Sequence, residues 1–334
     1  LRHDIPFFKD LGVWGFWTEG QNTWMRTHLN YYVRTKLMWN SDLDVDAIVR
    51  DYCQKFYGEA AYWIEKYVWT LENAVEKTDL HAQWGNNHHI PWKIIFTDPL
   101  IETLQEYLNH ARQQTSALAH QLHVDMLQEY HHYLIAFLSI QQSTHLGEYQ
   151  QATSEIDEAL VARSKLSEVK SNLLPHTPGW VVERSDSTLE GLSDICRYLL
   201  DRTDGTVGKL VVFLPRDWKF KTDPFEDGLI QQWYRSDHED EWDSVATTLY
   251  WENQGYQNET GYGYTGYAWY RTEFEVKNDM GNRPLILTFG GVFGQEIWVW
   301  INQLLVLHRD NESPSKPFDI NLPENIQVGT NQIA

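Results

Sequence analysis

The sequence predicts a multidomain α+β chain. Its parts are the end of a (β/α)8 barrel, an α-helical annex, and an antiparallel β-sandwich. Three observations carry this. A helix-like segment, a glycine-bounded apolar run and a second helix-like segment follow one another near the start. A long middle region then spaces its apolar residues by three and four. After Thr203 the spacing changes to two.

Taken in order, Asp4 to Leu11 reads as the end of a helix. Gly12-Val13-Trp14-Gly15-Phe16-Trp17 reads as a buried strand, and Asn30 to Trp39 as the start of the next helix. Helix, buried strand, loop and helix is the order of one late unit of a parallel barrel, and residues 1–42 are assigned to it. Residues 43–203 form the annex. Val45, Ile48, Val49, Tyr52, Cys53 and Phe56 make one apolar stripe, and Gly58 ends that helix. Ile64, Val68, Leu71 and Val75 continue at helical spacing. Asp98-Pro99 opens a helix where the missing proline N–H costs nothing. Leu127, His131, Leu134 and Leu138 mark another, then Ile156, Leu160 and Val169, then Leu189, Leu192, Cys196 and Leu199. Pro175 and Pro178-Gly179 interrupt the array.

Residues 204–334 carry the sandwich. Asp204 to Gly208 is linker-like, and Lys209 to Leu214 begins a strand pattern. From Tyr267 to Val276 the residues alternate. Tyr270, Thr272, Phe274 and Val276 share one face; Trp269, Arg271, Glu273 and Glu275 share the other. Leu285, Leu287 and Phe289 alternate too, as do Ile297, Val299 and Ile301. Short strands between Gly, Asn, Asp and Pro indicate antiparallel pairing. The last residues, Asn331 to Ala334, read as strand, so the natural protein is expected to continue.

The chain has 334 residues and a formal net charge of −20. That charge repels phosphate backbones and argues against nucleic acid as a partner. No run of 18 apolar residues exists, so no membrane span is expected. Cys53 and Cys196 are too few for a disulfide framework and are expected as small core residues. The redox compartment and the oligomeric state stay open, with an extracellular or periplasmic location favoured. The 16 Trp and 18 Tyr are the unusual feature. Their rings join an apolar face to a polar edge, which matches the C–H faces and hydroxyl rims of sugars.

Glu19 follows the apolar run directly. In parallel barrels such a position faces the active site. Paired carboxylates perform glycoside hydrolysis, about 5–5.5 Å apart in retaining enzymes and about 6.5–9.5 Å apart in inverting ones. Glu19 beside Trp14, Trp17 and Trp24 suits a sugar subsite; capping the next segment or pairing with Arg26 is the structural alternative. No partner carboxylate is named, and the catalytic pair is expected upstream of Leu1. His88-His89 and His131-His132 are adjacent pairs that point apart on a helix, so no metal is expected, and no cofactor signature is present. In the last region Trp251, Tyr256, Tyr262 and Tyr264 stand among Gly255, Gly261, Gly263 and Gly266. Glycines allow tight turns there and the aromatics give rigid contact faces. Arg271, on the face of Trp269, can stack there or pair with Glu273.

Two stretches carry a family likeness. Tyr31-Tyr32-Val33, Lys36-Leu37-Met38-Trp39-Asn40 and Phe56-Tyr57-Gly58-Glu59-Ala60-Ala61 lie in a region of roughly residues 1–170. It resembles the C-terminal part of a bacterial domain of unknown function related to α-glucuronidases. The resemblance implies a glycosidase barrel whose annex these helices begin. Trp251-Glu252, Ala268-Trp269-Tyr270-Arg271, Val299-Trp300-Ile301-Asn302, Phe318-Asp319-Ile320 and Gly329-Thr330-Asn331 resemble the sugar-binding domain of family 2 glycosidases. That likeness implies a galactose-binding-like jelly roll. Two departures stand out. Asn302-Gln303 occupies a hairpin where the family has Asn-Gly, so that turn must differ or be strained. The sandwich also follows the barrel instead of preceding it.

The function implied is that of part of a glycoside hydrolase acting on an oligosaccharide or polysaccharide. A non-catalytic carbohydrate-binding or structural module is the alternative. The expected substrate contacts are Trp17, Glu19, Trp24, Trp251, Tyr256, Tyr262, Tyr264 and Arg271.

Overall fold

The structure, a computed structural model, describes residues 1–16, 23–78, 92–174, 188–235, 242–257, 263–277, 283–310, 316–322 and 326–334. The chain divides into two compact units. Among the described residues, the first takes those within Leu1–Leu80, Trp92–Ile140 and Ser154–Val181. The second takes those within Gln141–Thr153 and Val182–Ala334.

The first unit is helical: α1 (Asp4–Asp10), α2 (Trp24–Trp39), α3 (Val45–Tyr57), α4 (Ala61–Glu76), α5 (Asp98–Gln114), and most of α6 (Leu118–Leu146) and α7 (Tyr149–Val169). α3 shows why these segments fold locally. The Asp44 carboxylate accepts from the backbone N–H groups of Asp46 at 3.2 Å and Ala47 at 3.3 Å, satisfying two orphan donors of the first turn. The predicted stripe is then buried at Ile48, Val49, Tyr52 and Cys53. Gly58 follows at φ +54°, ψ −117°, a conformation open to glycine; a Cβ there would meet the His120 ring at 2.0 Å. α5 carries Pro99 in its first turn, as expected. Leu37, Ile64, Leu104, Leu108, Val124 and Leu166 meet in one apolar core with Cys53. Both cysteines are free and buried, and burial pushes each thiol up to about 12.

The expected buried strand at the start is not formed. Gly12 has φ +78°, the residues from Val13 to Phe16 are irregular, and Trp14 is fully exposed. A buried parallel strand needs a hydrogen-bonded neighbour on each side. The described residues offer this run none, so its apolar composition alone does not make it a strand. Trp17 lies outside the described residues.

The second unit holds α8 (Leu189–Asp201) and eight strands: β1 (Asp217–Asp223), β2 (Asp243–Ala246), β3 (Tyr267–Val276), β4 (Ile286–Phe289), β5 (Glu296–Ile301), β6 (Leu304–Asp310), β7 (Phe318–Asn321) and β8 (Gly329–Ile333). Six form one sheet in the order β2-β1-β3-β8-β5-β6, and β4 pairs with β7. The pairings are antiparallel. The described chain is therefore mixed α+β, with helices and antiparallel sheet. One face of the large sheet, with Trp218, Ile297, Val299, Ile301 and Ile333, packs on Leu287, Phe289, Phe318 and Ile320 of the small one.

The strand expected to begin at Lys209 is absent. Lys209 makes a single bridge to Asp204, and Leu210, Val211 and Phe213 stay exposed without ladder partners. Asp204 to Gly208 is a turn that folds onto the end of α8, with Val207 N–H donating to the Asp201 carbonyl at 2.8 Å.

Two features fix the register at the far end of the large sheet. Asn331 is buried; its Nδ2 donates to the carbonyls of Gln327 at 2.8 Å and Gly329 at 3.1 Å. Its Oδ1 accepts from Gln327 N–H at 3.1 Å and from Asn302 Nδ2 at 2.8 Å. The β5–β6 hairpin turns through Asn302 at φ +47° and Gln303 at φ +69°. Both positive angles suit a type I′ turn, so the Asn-Gly geometry is kept while glutamine takes the glycine position. Gln303 thus sits in the left-handed region at a steric cost.

Two predictions follow from this packing. Gln303→Gly should raise stability by about 1 kcal/mol, read as a higher urea midpoint; a lower midpoint would mean that the glutamine side chain outweighs the backbone strain. Burial also pulls the imidazoles of His28 and His131 from 6.5 down to about 4. The unfolded chain then binds more protons between those values. The helical unit should be most stable above pH 6.5 and lose up to about 1.4 kcal/mol per pH unit for each histidine as pH falls toward 4. Urea midpoints at pH 7 and pH 5 read this, and His131→Gln should shrink the difference. An equal midpoint at both values for the wild type would show that the folded protein charges these rings freely.

Candidate functional site

The aromatic loop singled out in the sequence is built on β1 and β3. Phe220 of β1 is fully buried and pairs in register with Tyr270 of β3. After β2 the chain enters a 3₁₀ turn, Trp251–Gln254, and reverses at Gly255 with φ +98°. Gln254 staples this turn to β2: its Oε1 accepts from Ala246 N–H at 2.8 Å and its Nε2 donates to the Ala246 carbonyl at 3.0 Å. Gln257 and Gly263 form a bridge, and Tyr264 N–H donates to the Tyr256 carbonyl at 3.0 Å.

These constraints converge the rings on Phe220. The ring centroids of Tyr256, Tyr270 and Trp251 lie 4.5, 4.9 and 5.8 Å from it, and Tyr264 lies 5.9 Å from Trp251, edge to face. Such pairs favour tilted geometry because ring faces are negative and edges positive. The tyrosine hydroxyls are already engaged: Tyr256 donates to Asp243 at 2.8 Å, and Tyr264 to the Tyr267 carbonyl at 2.8 Å. Burial, then the Asp243 hydrogen bond, pushes Tyr256 up to about 12. Trp251 Nε1 and Glu252 Oε2 are buried and take part in no hydrogen bond. Burial first, and then the negative charge of Glu252, raises the Tyr270 phenol.

Arg271 is not part of this group. It lies on the opposite face of β3, buried with Trp269. Its guanidinium sits 4.6 Å from the Trp242 ring centroid and donates to the Arg235 carbonyl. Stacking was expected on Trp269; Trp242, supplied by the chain before β2, takes that place. Trp233, Trp242, Trp269 and Trp300 form a tryptophan core on this face. Asp223 anchors it, accepting from Trp269 Nε1 at 3.0 Å and from the backbone N–H of Asp227 and Gly228 at 2.8 and 2.9 Å. A Cβ at Gly228 would lie 2.1 Å from the Trp269 indole nitrogen, so that backbone approach requires glycine.

Farther along the same face a polar aromatic group reaches the surface. Glu296 accepts from Tyr267 Oη at 3.0 Å and contacts His308 Nε2 at 2.8 Å, while the His308 ring stacks on Trp298 at 4.6 Å. The His308 contact, foremost, holds the Glu296 carboxyl below its ordinary range.

In the helical unit, Trp24 stands half-exposed at the start of α2, with its ring centroid 5.9 Å from that of His28. Tyr52 Oη and His28 Nδ1 share a 2.7 Å hydrogen bond, so the imidazole is fixed in orientation. Glu19, Trp17 and Tyr262 lie outside the described residues, as do His88 and His89. His131 is buried against Tyr67 at 3.3 Å, while His132 faces Glu129 at the surface. Among the described residues no three His, Cys, Asp or Glu side chains gather as a metal site, and no helix is long and apolar enough to cross a membrane. A concavity of about 330 Å³ between α6 and α7 is lined by Glu129, His132, Asp157, Glu158 and Lys165; Lys165 is already bonded to Glu129 at 3.0 Å.

Of the expected contacts, the structure brings together Trp251, Tyr256 and Tyr264. It separates them from Arg271 by the thickness of the sheet. Phe220, the ring they share, was not singled out from sequence, and Glu252, next to Trp251 in the chain, was quoted only within the family likeness and not as a contact. Strand alternation in Trp218-Lys219-Phe220 could have found Phe220. Glu252 had no such signal, because a glutamate beside a tryptophan is ordinary in a loop.

Residues 1–69 match the family described as "Domain of unknown function (DUF4838)", which is less than half of the chain. Among curated proteins none matches. Among solved structures, a β-glucuronidase from an uncultured Clostridium sp. is 21% identical over 35% of this chain and 20% of that one, with a TM-score of 0.31. A β-glucuronidase of Ruminococcus gnavus, in complex with uronic deoxynojirimycin, is 22% identical over 35% and 19%, also at 0.31. The ligand-free form of the R. gnavus enzyme gives 22%, 35%, 20% and 0.31. The matched region thus spans about one fifth of each of those proteins.

Proposed function

We propose that this chain is part of a carbohydrate-active protein, and that its β-unit binds saccharide through the rings gathered on Phe220. One observation carries this. Rigid aromatic faces gathered on Phe220 carry with them a buried indole N–H, that of Trp251, which no protein group satisfies. A sugar ring needs both kinds of surface: apolar faces for its C–H patches, and a hydrogen-bonding partner for its hydroxyls.

The likeness of residues 251–331 to the sugar-binding domain of family 2 glycosidases supports the same reading. On it, the two-sheet unit is a galactose-binding-like jelly roll. Residues 1–42 would be the terminal portion of a glycosidase-type barrel and 43–203 its annex. The whole protein would then be a glycoside hydrolase. A non-catalytic binding module is the second reading. It is favoured by the carboxylates of the β-unit whose roles are visible: Asp223 anchors Trp269 and Asp243 holds Tyr256.

Native affinity electrophoresis tests the binding proposal. The full chain should be retarded in gels containing galactomannan or arabinoxylan relative to plain gels. Tyr264→Ala should lose most of that retardation, since it removes one face of the ring set. Equal mobility of the wild type in every gel would contradict a saccharide-binding role.

A further inference from the structure

We propose that Tyr267, Glu296 and His308 form a second saccharide-contact site, on the opposite face of the large sheet from Phe220, which takes a neutral pyranoside through its hydroxyl donors. This goes beyond the ring set on Phe220 and shares no side chain with it.

The group is built by short contacts between three strands. Tyr267 Oη, from β3, donates to Glu296 Oε2 of β5 at 3.0 Å, and His308 Nε2, from β6, lies 2.8 Å from Glu296 Oε1. A carboxylate has no hydrogen to give, so Nε2 is the donor. The His308 ring stacks on Trp298 with centroids 4.6 Å and planes 11° apart, and Tyr267 meets the same indole at 5.6 Å, tilted by 62°. Trp298 and His308 are cross-strand partners in the β5–β6 register, which fixes that stack. The group is open to water: Tyr267 is 37% exposed, and the side chains of His308 and Glu296 are 49% and 28% exposed.

Its spare polar capacity is all of one kind. An ionised carboxylate offers about four lone-pair sites, and Tyr267 and His308 leave part of that capacity free. The phenol oxygen, its hydrogen given to Glu296, still accepts. The neutral imidazole, donating from Nε2, keeps Nδ1 as an acceptor. The charge states agree with this. The Glu296 hydrogen bond, foremost, raises the Tyr267 phenol, and the His308 contact lowers the Glu296 carboxyl.

Fixed acceptors beside aromatic rings select a ligand with several O–H donors and a C–H face, as a sugar ring has. A uronate fits poorly. Asp310 stands opposite Glu296 in the register, while Arg309 turns to the other face, 4.3 Å from the Phe318 ring centroid. The net charge of −20 adds to that repulsion.

The test follows the Trp298 indole peak of the full chain by ¹H–¹⁵N NMR, identified by its loss in Trp298→Phe. The probes are methyl β-galactoside, methyl β-xyloside, methyl β-glucuronide and, separately, calcium chloride. The peak should shift and saturate with at least one neutral glycoside, and at least tenfold more weakly with the glucuronide. The shift should persist in Trp251→Phe. Glu296→Gln and Tyr267→Phe should each raise its midpoint concentration tenfold or more. His308→Phe, which keeps a ring on Trp298, should raise it too. A peak that no neutral glycoside moves, or a midpoint unchanged in all three variants, would overturn the proposal. So would a saturating shift with calcium that the neutral glycosides do not produce, since the acceptors would then serve a cation. A fixed Trp298 peak with a moving Trp251 peak would end this site and leave the Phe220 reading standing. The reverse would support this site and contradict that reading.

Discussion

The β-unit depends on how two adjacent strands dispose aromatic side chains on both faces of one sheet. β1 and β3 pair so that Phe220 meets Tyr270 on one side and Lys221 meets Trp269 on the other. Antiparallel pleating makes this alternation obligatory, and a slip of one residue would exchange the two faces. On the first side Phe220 is a buried ring against which Trp251, Tyr256 and Tyr270 tilt. On the second, Trp269 is the centre of a tryptophan core held by Asp223. The register of this pair therefore sets both the floor of the candidate site and the support behind it.

Behind the sheet, Asp223 accepts three hydrogen bonds, and the Arg271 guanidinium is spread on Trp242 and bound to a carbonyl. Closed networks rigidify. In front, the hydroxyls of Tyr256 and Tyr264 are spent in the same manner, which fixes the rings as faces. Trp251 Nε1 and Glu252 Oε2 are left over. The unpartnered indole N–H of Trp251 beside those fixed faces is what the saccharide-binding proposal rests on.

Much of this was legible in the sequence. β3 was placed residue for residue, with its two faces, because alternation over ten residues has no competing explanation. The helices α3, α5 and α8 were legible from apolar stripes and from their first-turn residues. The hairpin at Asn302-Gln303 was flagged as either different or strained; the turn geometry is kept, with glutamine where a positive φ favours glycine. Other features were not legible. Gly12 to Phe16 has the composition of a buried strand, but a strand exists by pairing, and pairing is not local. Lys209 to Leu214 failed for the same reason. Arg271 was read from its own strand, whereas its partner Trp242 comes from a segment with no periodic relation to it. Glu252 was missed because an unsatisfied atom is a property of the folded surroundings.

The central claim is that the Trp251 indole N–H meets ligand directly. Its resonance in a ¹H–¹⁵N spectrum of the full chain, identified by its loss in Trp251→Phe, reports on this without requiring tight binding. On titration with methyl β-galactoside or methyl β-xyloside, that indole peak should shift and saturate, while the peak of Trp269, bonded to Asp223, stays in place. A Trp251 peak that remains fixed while other indoles move would contradict the account.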